Sequence, residues 1–207
     1  MPDLEKTYLF RMIHIENLPH ILQNGITHHT SAKAHPNYKP IGDSSLISTR
    51  GSFLLNNGKR LGQYIPFYFS IRTPMLYVIQ HGFNMVEPTP AENIVYCVTS
   101  LSKIIELNLD FVFTDGHAMD KFSAQFSIKD IENIDQIIDK SAINAKYWKD
   151  ENDLDVKRRK EAEFLVLGDI AVSAILGFLV YNENAKIKLL DFGVDERSVH
   201  IRTDFYF

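Results

Sequence analysis

Lys157-Arg-Arg-Lys-Glu-Ala-Glu163-Phe-Leu-Val-Leu167 is the stretch on which the fold turns. Four cations in a row give way to a carboxylate, Glu163, and then to a short unbroken apolar run. A run that short, bounded by polar residues, fits a strand buried on both faces better than a helix. A carboxylate at the mouth of such a strand can accept a hydrogen bond from a sugar hydroxyl and stabilise a cationic transition state. Lys157, Arg158 and Arg159 beside it can hold phosphate groups. The plainer alternative is a solvated helix end carrying a charge run.

Working outward, Tyr8-Leu-Phe-Arg-Met-Ile13 and Tyr64-Ile-Pro-Phe-Tyr-Phe-Ser70 have the aromatic and β-branched content of strands. Pro66 implies a bulge or an edge within the second, because proline donates nothing to a ladder. Asn17 to Gly25 has a cap, a first-turn proline and a terminal glycine, so it predicts a short closed helix. Residues 28 to 46 are polar and predict a long loop. Pro74 suits the first turn of another helix. Ile94 to Val98 and Phe111 to Thr114 predict strands, with a helix capped by Ser100 between them and a turn at Asp115-Gly116. Residues 120 to 150 predict short helical pieces and loops. Further strands are expected at Ala174 to Val180, Lys186 to Leu190 and Ser198 to Arg202. Strands and short helices mix without a regular βαβ alternation, which predicts an α+β fold. Residues 1–207 are expected to form a single domain.

Composition narrows the function. The net charge of −4 argues against a general nucleic-acid binder that relies on broad phosphate neutralisation, yet leaves room for one local basic patch. No apolar run reaches the roughly 18 residues of a membrane span. Met1-Pro-Asp-Leu-Glu-Lys lacks the basic-then-apolar layout of a secretion signal, so a cytoplasmic location is the default expectation. The one cysteine, Cys97, lies in an apolar strand and reads as a small buried hydrophobe. His28, His29 and His35 lack the spacing of metal ligands and no metal site is expected.

Two further side chains carry chemistry. His14 stands between a strand and a helix start, where a neutral imidazole can bind a ligand hydroxyl or simply cap the helix. Arg50, in Ile47-Ser-Thr-Arg50 after the polar loop, can hold a pyrophosphate bidentately or form a surface ion pair. The aromatics at Tyr64, Phe67, Tyr68, Phe69 and Tyr77 read as core packing, with one or two free to stack on nicotinamide or a base. No Gly-x-Gly-x-x-Gly, P-loop or Gly-x-Ser-x-Gly is present, so any nucleotide binds by other means.

Taken in order, Tyr8 to Gly25, Leu46 to Arg50, Tyr64 to Tyr77, Phe113 to Ala118 and Lys157 to Val166 resemble the DarT family, the DNA ADP-ribosyltransferase toxins of DarT–DarG toxin–antitoxin systems. The Pro-Phe-Tyr-Phe and Pro-Met-Leu-Tyr block, together with Ala-Glu-Phe-Leu-Val, is the specific part. The resemblance implies an ADP-ribosyltransferase-like split antiparallel β-sheet core with short flanking helices and NAD⁺ bound in a cleft. It implies Glu163 and Arg50 as catalytic residues, and His14, Asn17, Arg50, Tyr68 and Met75 as NAD⁺-pocket residues. His117, Lys157, Arg158 and Arg159 then face single-stranded DNA. A DarG-like ADP-ribosylglycohydrolase antitoxin is the implied partner. Many family members have Thr where this chain has Ile13, which shifts the hold on NAD⁺ toward backbone groups and His14. The modified base, thymine or guanine, is left open with a lean to thymine, and residues around Asp115 to Phe126 are expected to decide it. Either Glu163 or Arg50 is expected to assist removal of the base proton. The alternatives are transfer to protein or RNA, or an inactive module of the same fold.

Overall fold

A computed structural model describes residues 2–207. Its strands in chain order are β1 (Tyr8–His14), β2 (Tyr64–Tyr68), β3 (Ile94–Ser100), β4 (Phe111–Thr114), β5 (Gln125–Phe126), β6 (Glu163–Leu167), β7 (Gly177–Val180) and β8 (Val199–Ile201). They form one eight-stranded sheet in the order β5-β4-β6-β2-β1-β3-β7-β8. Every pairing is antiparallel except β7 with β8, which run parallel. The helices are α1 (Leu18–Asn24), α2 (Ser44–Ser52), α3 (Pro74–His81), α4 (Leu101–Glu106), α5 (Ile134–Ile137), α6 (Lys140–Asn144), α7 (Val156–Lys160) and α8 (Glu183–Asp191). None is long and apolar enough to cross a membrane, among the described residues.

The sheet is split between β1 and β2. β1 pairs with β3 along its whole length, from Tyr8 opposite Ser100 to His14 opposite Ile94. β2 pairs with β6 from Tyr64 opposite Leu167 to Tyr68 opposite Glu163. Yet β1 and β2 meet only at Phe10 opposite Tyr68. Pro66 supplies the reason. Its carbonyl accepts the Arg11 guanidinium at 2.9 Å, so this residue's backbone polar edge faces β1. A residue's N–H and C=O point to the same side of a strand, and Pro66 has no N–H to offer there. The expected proline edge therefore exists, as a seam inside the sheet instead of at its rim.

The largest apolar cluster packs Leu9, Ile13, Phe67, Phe113, Phe164 and Val166 against the helices, and holds Cys97 fully buried. Burial pushes that thiol up to about 12, which keeps it inert. α3 starts at Pro74 with Thr73 as its cap, as the proline implies. Several stretches depart from expectation: α2 starts inside the expected loop, β5 lies within residues 120 to 150, and the strand expected from Ala174 begins at Gly177 after a turn at Val172–Ala174. Lys186 to Leu190 lies inside α8, not in a strand. Asn182 caps this helix by accepting the Ala185 N–H at 2.9 Å, and the buried Ala185 and Leu189 lie four apart on one face. Alternating Ile187 and Leu189 mimic a strand over five residues and lose to the helical period over nine.

Gly25 ends α1 at φ 79° and ψ −172°, a region open essentially to glycine alone. A Cβ built there would lie 2.1 Å from the Ile170 carbonyl oxygen, which accepts the Ile26 N–H in an isolated bridge. Gly25→Ala is expected to lower stability by about 2–3 kcal/mol through strain and loss of that bridge. A melting temperature equal to that of the wild type would refute this.

Candidate active site

The seam end of β2 and β6 carries the site. Tyr68 and Glu163 are directly paired neighbours, so both side chains project from the same face of the sheet. Glu163 is 0% exposed. Its Oε1 accepts from Arg50 Nη1 at 3.1 Å and from the Ala118 N–H at 2.9 Å, while Oε2 accepts from Arg50 Nη2 at 2.7 Å. These contacts fill three of the roughly four acceptor positions of a carboxylate. Burial pushes this carboxyl up, but the Arg50 charge and its two hydrogen bonds outweigh that and hold it below its ordinary value. Burial opposes the Arg50 charge, and the Glu163 carboxylate more than restores it.

Arg50 reaches Glu163 from α2, a helix with no buried residue of its own. Two features hold it. Asp43 caps α2 by accepting from Ser45 and Leu46 N–H at 2.8 and 3.2 Å. Gly62 lies against Gly51, where a Cβ would come within 2.7 Å of the Gly51 Cα. The polar loop thus ends at Asp43, and Arg50 sits on a helix. A cavity of about 530 Å³ opens beside it, lined by His28, Gly51, Arg60, Gly62, Gly168 and Asp169 among others.

His117 follows β4 and faces the pair. Burial lowers its pKa, against a smaller raising effect from Glu163. Its Nδ1 accepts from Met119 N–H at 3.3 Å, and its own N–H donates to the Arg158 carbonyl at 3.1 Å. Gly116 before it packs against Arg158, leaving 2.5 Å between a notional Cβ and Nη1. Burial, reinforced by Glu163, keeps the Tyr68 phenol protonated.

The basic run on α7 does not form one open patch. Arg158 is held by Asp155 at 2.8 Å and Asp115 at 3.1 Å. Arg159 is ion-paired to Asp139 and Asp153. Lys160 is only 1% exposed and donates to Ser70 Oγ and the Ile143 carbonyl, both at 3.1 Å, with burial pushing its ammonium down to about 8. Lys157 alone of the four is exposed and without an ion pair among the described residues.

His14 and Asn17 stand elsewhere on the seam. His14 is four residues from Phe10 along β1, so it lies roughly 13 Å from the Tyr68–Glu163 level at about 3.3 Å per residue. Its Nδ1 caps the turn Ile15–Asn17 by accepting the Glu16 N–H at 3.1 Å, which leaves Nε2 free. Asn17 makes no cap bond. Its side chain exchanges two hydrogen bonds with the Lys39 backbone, at 2.8 and 2.9 Å, and so anchors the polar loop to β1. Met75 lies in the first turn of α3, half-buried against a second apolar cluster with Leu76 and Tyr96. His28 is tied to Asp169 and the Gly62 carbonyl, a structural role in the loop.

Glu161 escaped the sequence reading. It closes α7, its N–H donating to the Arg158 carbonyl at 3.1 Å, and the next residue accepts the Phe69 N–H through the Ala162 carbonyl at 3.4 Å. Burial, with Glu163 and Asp120 acting in the same direction, pushes its carboxyl up to about 7 against the opposing Lys157 charge. The only signal in the sequence was a second carboxylate two positions before Glu163, hidden in a charge run.

A buried Arg–Glu pair at the split of such a sheet matches what the resemblance to ADP-ribosyltransferases, enzymes of glycosyl transfer, implies for a catalytic centre. The family model described as "ssDNA thymidine ADP-ribosyltransferase, DarT" matches residues 10–207, and the chain belongs to that family. It is 30% identical over 209 residues to a DNA ADP-ribosyl transferase of Escherichia coli O127:H6, covering 98% of this chain and 94% of the relative. The structure of Thermus sp. 2.9 DarT in complex with ADP-ribosylated ssDNA superposes with a TM-score of 0.84 at 29% identity, covering 100% of this chain and 98% of that one. The same enzyme in complex with NAD⁺ gives 0.80 at 29%, covering 100% and 99%. A Thermosipho africanus fusion of a DNA ADP-ribosyl transferase with a DNA ADP-ribosyl glycohydrolase is 30% identical over 159 residues, 76% of this chain and 38% of the fusion.

Removing Arg50 reverses the electrostatics of Glu163. In the wild type the depressed carboxyl stabilises the fold above its ordinary 4.5, and that contribution fades as the pH falls through the depressed value. With Arg50 absent, burial alone raises the carboxyl, so the penalty is greatest above the raised value and shrinks as the group protonates. Arg50→Ala is expected to cost about 3 kcal/mol at pH 7 and distinctly less at pH 5, read as the difference in melting temperature from wild type at each pH. Equal deficits at both pH values would show that the pair does not set the charge of Glu163.

Proposed function

We propose that this chain acts in the cytoplasm as the toxin of a toxin–antitoxin pair, with residues 1–207 as one catalytic unit. The reaction transfers ADP-ribose from NAD⁺ to thymine in single-stranded DNA and releases nicotinamide. A DarG-like glycohydrolase that removes the modification is the matching antitoxin. The observation that carries this reading is the fully buried Glu163, pinned by Arg50 at the seam with one acceptor position unused.

Glu163 accepts the 2′-hydroxyl of the nicotinamide ribose in that remaining position. Its fixed negative charge stabilises the oxocarbenium character that develops as nicotinamide leaves. Arg50 holds the carboxylate ionised and oriented, so little reorganisation is needed at the moment of reaction. His14 Nε2 and the anchored polar loop hold the nicotinamide end, and the cavity beside α2 has room for the other nucleoside. Tyr68 and Met75 belong to the NAD⁺ pocket and His117 to the side of the acceptor base, which must be unpaired to reach a site this buried. Lys157 positions a backbone phosphate. Arg158 and Arg159, already ion-paired, shape that surface and tie α7 to the segments carrying Asp115, Asp139 and Asp153.

Incubation with labelled NAD⁺ and single-stranded DNA, duplex DNA, RNA or cell protein tests the reading. Label is expected on single-stranded DNA, with mass spectrometry of four-base oligonucleotides finding it on thymine. Label confined to protein or RNA would overturn it. Glu163→Gln keeps the shape of the side chain and is expected to reduce DNA labelling by at least about 100-fold. The alanine variant is a poorer probe than its place at a cleft implies, because it strands the Arg50 guanidinium in a largely buried position. Lys157→Ala is expected to weaken DNA binding at all sequences and reduce the slope of log affinity against log salt by about 1, measured by fluorescence anisotropy. An unchanged slope would remove Lys157 from the phosphate path.

A further inference from the structure

Transfer to thymine, on which this inference rests, leaves one proton unassigned. In a nucleotide N1 of thymine is bonded to deoxyribose, so the ring nitrogen open to substitution is N3, which carries hydrogen between two carbonyls. That hydrogen must leave as a proton when N3 bonds to the ribose carbon.

The groups around the cleft differ sharply in their capacity to take it. Arg50 has only donors and its charge is reinforced by Glu163. Glu163 is held below its ordinary value, and protonating it would remove the charge that the departing nicotinamide requires. Tyr68 is held as the phenol. His117 is neutral, but its Nδ1 lone pair is taken by the Met119 N–H, so its proton sits on Nε2 and the ring presents a donor. Such a donor suits a thymine carbonyl. Glu161 is the remaining group. Its carboxylate has no hydrogen-bond or ion-pair partner among the described residues, and its neighbours act on it only through space.

We infer that Glu161 is a further catalytic residue, the general base that takes the N3 proton of the acceptor thymine. Its placement fits. Ala162, the one residue between it and Glu163, is hydrogen-bonded to Phe69 at the end of β2. Tyr68, opposite Glu163, feels the charges of both carboxylates. The charges that act on Glu161 are those of Lys157 of its own helix, Asp120 of the segment after β4 and Glu163 of β6, and Glu161 in turn acts on Tyr68 of β2. Burial and two like charges make it a stronger base than an ordinary carboxylate, with a value of about 7 that is matched to work near neutrality. In the step, the N3–H electron pair forms the bond to the ribose C1′ and the proton passes to Glu161. The C1′–N bond to nicotinamide breaks, and its electron pair neutralises the pyridinium. Glu161 later returns the proton to water.

The test uses Glu161→Gln, with transfer to a single-stranded oligonucleotide bearing one thymine measured from pH 5.5 to 8.5 and NAD⁺ affinity measured alongside. The turnover number is expected to fall about 100-fold or more, with NAD⁺ affinity within about threefold of wild type. Wild-type turnover should climb through about pH 7, and the variant should lose that limb. Glu161→Asp should keep the limb at reduced rate. Replacing the acceptor thymine with 5-fluorouracil, whose N3–H is more acidic, should recover at least about tenfold of the activity of Glu161→Gln. Turnover near that of the wild type, loss of NAD⁺ affinity in parallel with turnover, or no recovery on 5-fluorouracil would each overturn the inference. Wild-type protein that fails to modify thymine overturns the functional reading itself, whereas labelling by wild type and variant alike overturns only the role of Glu161.

Discussion

The bidentate contact between Arg50 and Glu163 is the interaction on which the rest of the site depends. A carboxylate with no solvent exposure would ordinarily take up a proton and become useless as a counter-charge. Arg50, with help from the Ala118 N–H, keeps it ionised in a dry setting where its charge acts at close to full strength. Everything nearby serves that contact: Asp43 starts the helix that carries the arginine, the Gly51–Gly62 approach seats it, and the pairing of β2 with β6 aims the carboxylate. The pair is expensive in desolvation and makes sense as reactivity held in place more than as stability.

Much of this was legible in the chain. The Glu163 strand, the β1 strand with a short helix after it, the proline start of α3 and the α+β class all follow from patterns spanning a few residues, whereas Asn17 bonds the Lys39 backbone instead of capping that helix. The pairing of Arg50 with Glu163 does not, because it joins positions 113 apart, and only the family resemblance joined them beforehand. Local patterns also failed where tertiary contacts decide. Lys186 to Leu190 alternates like a strand, yet the Asn182 cap and the Ala185–Leu189 face make it helical. Asp153 and Asp155 stand close before Arg158 and Arg159 in sequence, but their other partners, Asp115 and Asp139, lie far along the chain, so the full neutralisation is not legible there. Glu161 was hidden for the converse reason: among cations in sequence, it faces two carboxylates in space.

The same neutralisation explains how a chain of net charge −4 can hold a nucleic-acid strand without being generally sticky. Three of the four cations of the basic run are occupied by ion pairs or burial, and Lys157 alone is exposed and unpaired among the described residues. So few unneutralised cations leave little sequence-independent phosphate neutralisation.

The seam at Pro66 carries a mechanical implication. Two half-sheets joined at Phe10 and Tyr68, and by one guanidinium bridge from Arg11, form a soft joint in an otherwise stiff ladder. Few ladder bonds cross it, and its cohesion comes mainly from the buried cluster that Leu9 and Ile13 share with Ile65 and Phe67. Because proline has no N–H, no repacking of side chains can restore the donor missing at this position. The imino acid acts as a permanent gap in the ladder, written into the covalent chemistry of the chain.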